Sequence, residues 1–314
     1  MLLLLLLLLL CVAGASVARA AEVVERDTVE IAPASGVSVT ELRVDNRLGD
    51  VTVVGHDQPG LSLTVVKRAL DAETLGRLKL NLSPDPRTGI VSLGAALLPG
   101  HELRPVRAAD VRIDVVIAVP RTAHVVVRSW NGRIEVSGVR AGASLFAHDA
   151  EIRVTDVAGA VATGLTRGRQ RLTGVTGAVV ADSAYGEVAL DGVTGESLVA
   201  SVHEGTIIAT RIHARVVKLR TTFGDISFTG ELFAGGSCDL RAHRGRVDVV
   251  LGRATPVVLD AATRSGEIAE LVRFAGAERA PGRLHASYVG AGGKSAALVV
   301  RSALGDLRVG LISE

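Results

Sequence analysis

The sequence predicts an all-β fold, a parallel β-solenoid with a β-rich N-terminal cap, and three observations carry that expectation. Eight copies of a Gly-x-Ile/Val motif run from Gly132 to Gly266, the second with Ala150 for the glycine and the third with Gln170 for the aliphatic residue, at successive spacings of 18, 18, 18, 19, 19, 21 and 21 residues. Such a period belongs to stacked repeats, each too small to bury its own apolar face. Apolar residues also alternate with a period of two on both sides of each glycine, which places two strands in every repeat. The composition agrees: 48% of residues are hydrophobic but only 3% aromatic, and 35 are glycine. Many short aliphatic strands joined by tight turns produce that profile.

Residues 1–20 read as a signal peptide. Met1 and the run Leu2–Leu10 lead to Ala18-Arg19-Ala20, and the small residues of Ala-x-Ala mark cleavage after Ala20. The apolar run is shorter than the roughly 20 residues of a spanning helix. No Lys or Arg precedes the leucines, which leaves a retained N-terminal anchor open. Cys11 follows Leu8-Leu9-Leu10 rather than a small residue, against a lipid-acceptor role. The expected product is exported, periplasmic or extracellular at the cell surface, with no membrane span after cleavage. Cleavage leaves Cys238 as the single cysteine, so packing and not a disulfide must hold the fold. It also removes Arg19 and lowers the formal charge from +2 to +1, a balance that argues against a nucleic-acid partner.

Residues 21–128 form the expected cap. Apolar patterning predicts strands at 37–44, 51–54, 61–66, 90–93 and 111–119, and Asp71 is placed to cap a short helix over 72–79. Pro84 and Pro86 predict a loop after it. Asn46-Arg47-Leu48-Gly49-Asp50-Val51 is an early, separate copy of the motif. A cap of this kind would cover strand edges and core at the open end of the stack.

The repeats occupy 129–314, with the last coil expected to close the far end. Two residues after the glycine stand aliphatic side chains from Ile134 to Ile268, predicted to point inward, with Gln170 as the exception that must find a polar partner or mark a bulge. Five and seven residues before the glycine lie further inward columns, the latter including Cys238. Corners such as Ser137-Gly138-Val139 and Asp191-Gly192-Val193 recur with the period. The residue directly after the glycine faces outward by parity. Arg133, Glu151, Arg169, Glu187, Asp225, Arg246 and Glu267, with Thr206 intervening, then form a surface ladder of nearly alternating charge. Rows about 4.8 Å apart would set opposite charges side by side and penalise slips in register.

The segment Asp114–Pro120, the stretch Ser129-Trp130-Asn131-Gly132-Arg133-Ile134 and the corner Ser137-Gly138-Val139 resemble the bacterial DUF4097 β-strand-repeat family, also described as adhesin-type domains. In that family a strand ending in proline leads into repeats of the form Asn-Gly-x-Ile-x-Val-x-Gly-Val-x-Gly. Asn survives here only as Asn46 and Asn131. The resemblance spans most of the mature chain and implies a β-helical, envelope-facing protein without an assigned reaction.

The expected function is therefore a non-catalytic, adhesin-like scaffold or binding protein of the bacterial cell envelope, its partner an unidentified envelope protein or glycan. An envelope-stress sensor or accessory module, and a carbohydrate-active β-helix enzyme, are the alternatives. His148, His203 and His243 share one column, two residues before the glycine, but rows three and two apart separate them by roughly 14 and 10 Å, too far to share a metal. Asp182 with Asp191, or Glu187 with Glu204 and Asp225, are pairs that any regular stack brings near one another, and no catalytic fingerprint accompanies them. No catalytic, cofactor or metal residue is assigned. Trp130 opens the repeats, where sealing the cap against the first coil is the favoured role over anchoring a ligand. A right-handed coil follows from the crossover rule.

Overall fold

A computed structural model describes residues 23–31, 39–99, 110–272, 274–290 and 293–311. The proposed signal peptide and Cys11 lie outside them, as do residues 37 and 38 of the first expected strand. The described chain is all-β apart from one helical turn and a half.

The N-terminal elements are β1 (Val23–Ile31), β2 (Glu41–Asn46), β3 (Val51–His56), β4 (Leu61–Ala69), α1 (Ala72–Arg77), β5 (Leu78–Asp85), β6 (Ile90–Leu97) and β7 (Val111–Pro120). Helix α1 starts where expected: the Asp71 carboxylate accepts the Thr74 N–H at 2.6 Å, satisfying an otherwise unpaired donor of the first turn. Two strands were missed. The charged sequence of β1 hides its period, and Pro84, read as a loop residue, lies inside β5. Strand β5 is an outer strand that pairs only with β6, the setting in which proline is tolerated.

The repeat strands are β8 (His124–Ser137), β9 (Ala143–Thr155), β10 (Val161–Thr173), β11 (Val179–Asp191), β12 (Thr194–Phe223), β13 (Ile226–Arg244), β14 (Val247–Leu251), β15 (Val257–Ser265) and β16 (Ile268–Glu270). After them come β17 (Ala275–Ala280), β18 (Arg283–Tyr288), β19 (Ala296–Leu304) and β20 (Leu307–Leu311). From β8 to β12 each strand pairs with the next in parallel, and the motif residues stay in register: Ile134 opposes Ile152, Gln170 opposes Val188, and Val188 opposes Ile207. The early motif copy is not separate in space. Strands β2 and β3 pair in parallel with the two halves of β8, so residues 41–56 form the row beneath the first repeat. Beyond them, β6 and β7 carry the parallel ladder one row further, and antiparallel β5, β4 and β1 finish that end. Exposed Glu25, Arg26, Asp27 and Glu30 on β1 blunt its edge against pairing with another chain.

The predicted inward columns are buried, except that Ile268 in the last copy is only partly so. Ile134, Ile152, Val188, Ile207, Ile226 and Val247 have essentially no exposed surface, and neither do Val179, Leu198, Val217 and Leu259. Cys238 is a core residue of the same column, and burial pushes its thiol well above the ordinary range. Gln170 has both polar ends satisfied without a bulge: Thr163 Oγ1 donates to its Oε1, and its Nε2 donates to the Asp182 carbonyl at 2.6 Å. The polar exception in one inward column is matched by the polar Thr163 in the column facing it.

The glycine column has a steric cause. Gly186 and Gly205 adopt φ of +128° and +141°. A Cβ added at either would lie 1.8 Å from the carbonyl oxygen of the glycine one row below. Ala150 occupies the same column, but with an ordinary φ. Asn46, aligned by its motif with Asn131, instead opposes Ser129. It is fully buried, donating to the Ile113 carbonyl at 2.7 Å and accepting the Leu48 N–H at 3.1 Å. It is a corner clamp, two positions along the strand from the column to which sequence spacing assigned it.

The C-terminal end departs from chain order. The row made by β19 and β20 is not the last of the parallel ladder, against the expectation that the final coil closes the far end. Strand β19 pairs in parallel with β13 on one side and β15 on the other, and β20 lies between β14 and β16. The last row of the sequence is thus wedged between the seventh and eighth copies of the motif. It is β18, antiparallel to β15 and followed outward by β17, that covers the far end. Turn residues Pro281 and Gly282 make that hairpin possible and supply the edge protection that the terminal coil was expected to give.

Candidate functional site

The outward ladder is assembled in part. Arg133 Nε lies 3.4 Å from Glu151, Arg169 Nε 3.5 Å from Glu187, and Arg246 3.5 Å from Asp225. Thr206 separates Glu187 from Asp225, as read. Glu267 is the exception: the inserted coil puts Asp306, not Arg246, beside it. These pairs are largely exposed, and each contributes about 0–1 kcal/mol. Around Glu151, burial opposes the charged form, but hydrogen bonds and charge from Arg153, joined by Arg133, outweigh it and hold the carboxyl below its usual range.

The acids of this column also do something that charge reading missed. The Oδ1 of Asp50, Asp225 and Asp306 accepts the backbone N–H of Arg133, Arg246 and Glu267 in the next row, at 2.7, 2.8 and 2.9 Å. Each carboxylate satisfies a donor where the left-handed glycine interrupts the ladder. The column is chiefly a stacking device.

A different face is concave. An open trough of about 1200 Å³ runs along the positions four, three and two residues before the glycine, from β9 through the inserted β19 to β15. Eight rows line it, which at about 4.8 Å per row makes a channel roughly 34 Å long. Its floor is the corner column, where the hydroxyls of Ser302 and Thr263 donate to the carbonyls of Gly245 and Gly305 at 3.0 and 2.9 Å. Its wall is the column four before the glycine. Reading along the rows, that wall carries Phe146, Gly164, Asp182, Ser201, Arg220, Arg241 and Arg301, each opposing its neighbour in the parallel register where that register is continuous. Arg283 reaches the same end from β18, and Arg264 from β15.

The histidine column borders this trough. His148, His203 and His243 do not converge; each meets an aromatic neighbour. Trp130 stacks on His148 with ring centroids 4.6 Å apart, while Tyr185, His203, Phe223 and His243 meet edge to face at 6.3, 5.8 and 6.5 Å. Trp130 is 57% exposed and therefore does not seal the cap. Among the described residues, no group of three His, Cys, Asp or Glu side chains is placed to hold a metal ion. Asp182 lines the trough, whereas Asp191 is engaged elsewhere with Thr210 and Arg211, so that pair is not brought together.

The trough was partly legible in the sequence. Arg220 and Arg241 occupy equivalent repeat positions, a signal present in a column that was not read. Arg301 and Arg283 join them only because the last coil inserts and the hairpin folds back.

No helix of the described residues is long and apolar enough to cross a membrane. No protein-family model, that of DUF4097 included, and no curated protein matches the chain. Among solved structures it is similar to a candidate adhesin from Parabacteroides distasonis, at 11% identity over 93% of this chain and 98% of that one, with a TM-score of 0.48. It is also similar to a candidate adhesin from Parabacteroides merdae (8% identity, 92% and 96% covered, TM-score 0.40). A candidate lipid-binding protein from Parabacteroides distasonis is a third (12% identity, 92% and 97% covered, TM-score 0.34). At these identities and TM-scores, no function passes from those proteins to this one.

Proposed function

We propose that this chain is an exported, non-catalytic, adhesin-like binding scaffold of the bacterial cell envelope, built as a right-handed parallel β-solenoid that holds one extended ligand in its trough. The in-register parallel pairing from β2 through β15 supports the solenoid reading, and the N-terminal signal-like segment supports export. The observation that carries the binding reading is the trough: open, continuous over eight rows, and bordered by exposed aromatic rings. A stack fixes the spacing of its surface groups, which limits what binding must pay in lost freedom. Among the described residues that line the trough Asp182 is the one carboxylate, and Asp239 and Asp260 beside the trough are held in ion pairs with Arg241 and Arg301, whereas hydrolysis by a carboxylate pair requires two flanking the bond.

The test is co-sedimentation of the mature chain with bacterial envelope fractions, alongside Ser201→Trp and Thr222→Trp, which fill the trough, and Arg169→Ala, which breaks a pair on the other face. Retention lost in the two trough variants and kept in Arg169→Ala is the expected result. Equal retention of all four proteins, or retention of none, overturns the reading. So does turnover of a glycan panel that Asp182→Asn abolishes, which would make the chain an enzyme.

A further inference from the structure

Building on that reading of the trough, we infer that its ligand is an acidic polysaccharide, a polymer carrying a carboxylate at regular intervals. On the ladder that follows the glycine, opposite charges meet from Arg133 to Glu187 and again from Asp225 through Arg246 to Asp306, and only Asp306 and Glu267 meet as like charges. In the trough wall like charges meet instead: Arg220, Arg241 and Arg301 oppose one another on successive rows. Like charges directly opposed across strands are destabilising, so stacking does not account for the column. Two carboxylates offset them in part: Asp239 lies 2.7 Å from Arg241 and 3.9 Å from Arg220, and Asp260 pairs with Arg301. Arg264 and Arg283 have no ion-pair partner among the described residues, which leaves this end of the trough positive.

Guanidinium groups repeated at the row spacing suit a ligand whose anions are also repeated, and their planar forks donate two parallel hydrogen bonds to a carboxylate. The other end favours sugar over a plain polyanion. Phe146 is 45% exposed and lies against Gly164, where even a Cβ would come within 2.9 Å of its ring. The bare glycine leaves room for a flat apolar platform in line with the arginines, a surface on which a pyranose face can rest. An acidic peptide finds less here, because the strands beneath the trough already pair with neighbours on both sides and offer no free backbone edge.

The experiment is calorimetric titration of the mature chain with polygalacturonate oligosaccharides, and with the same oligosaccharides after carboxyl reduction. Inorganic polyphosphate, single-stranded oligothymidylate and phosphatidylglycerol vesicles serve as competing anions. Expected are saturable binding that weakens with salt, loss on carboxyl reduction, and a drop of roughly tenfold or more in the Arg241→Gln/Arg301→Gln double variant. Phe146→Ala should weaken the oligosaccharide several-fold and leave polyphosphate binding unchanged. Melting curves matching the wild type establish that the variants are folded. Binding of polyphosphate, oligothymidylate or the vesicles as tight as that of the oligosaccharide, with Phe146→Ala silent, overturns the assignment in favour of a general anion surface. No binding of polygalacturonate, with envelope retention still lost in Thr222→Trp, overturns the acidic-sugar inference and spares the binding scaffold. Loss of both removes the two together.

Discussion

Replacing Gly205 with alanine tests the stacking geometry at its tightest point. The residue sits at φ +141°, and its new Cβ would lie 1.8 Å from the Gly186 carbonyl oxygen. Holding a non-glycine residue in that backbone region costs on the order of 1–3 kcal/mol. Moving two well-packed rows apart to clear the contact costs about 1–3 kcal/mol more. The sum, roughly 2–6 kcal/mol, corresponds to about 5–20 °C in melting temperature for a domain of this size. Gly94→Ala is the matched control: nothing lies within 4 Å of its would-be Cβ, and its backbone is ordinary. There the alanine should leave stability unchanged or raise it by up to ~1 kcal/mol, through lost freedom of the unfolded chain. Circular dichroism melts and urea midpoints, measured side by side, decide the matter. Gly205→Ala melting within about 2 °C of wild type, or the two variants behaving alike, would refute the account of the glycine column.

Three further outcomes are expected. Ile207→Asp buries an unpaired carboxylate among aliphatic side chains and should cost more than about 4 kcal/mol, exposing neighbouring rows to limited proteolysis, whereas Thr206→Ala should stay within ~0.5 kcal/mol; equal tolerance would invert the inward and outward assignments. Gln170→Leu alone leaves the Thr163 hydroxyl without its partner and should lose about 1–3 kcal/mol in urea unfolding. Adding Thr163→Val should recover most of that loss, and an additive double variant would contradict the buried pair. Glu151 is held below its usual range, so its contribution to stability is complete above the unfolded-state carboxyl range and disappears as pH falls through the lowered folded value. Acid unfolding of Glu151→Gln should therefore differ from wild type least at low pH and most near neutrality, and a constant difference across pH would speak against the Arg153 and Arg133 contacts.

Local patterning made some features readable and left others hidden. The inward columns, the Asp71 cap and the burial of Cys238 follow from short-range rules, because alternation and capping act over a few residues. Strand β1 and the proline-bearing β5 were hidden, since an edge strand need not carry an apolar period. Trp130 was misread: a large aromatic side chain is expected to bury itself, yet its partner is His148, one row above and 18 positions along the chain.

By itself, the sequence determined the all-β class, the row length, the identity of the buried columns and the glycine column, which Ala150 alone among the eight copies departs from. All of these depend on side-chain parity and backbone sterics that repeat within about 20 residues. Only the tertiary structure decided the order of the rows. The last coil enters between β13 and β15 because a parallel ladder pairs equally well with any row of matching register, wherever it falls in the chain. That insertion carries Glu267 away from Arg246 and brings Arg301 beside Arg241. The basic end of the trough therefore rests on a neighbour relation that sequence spacing alone does not contain.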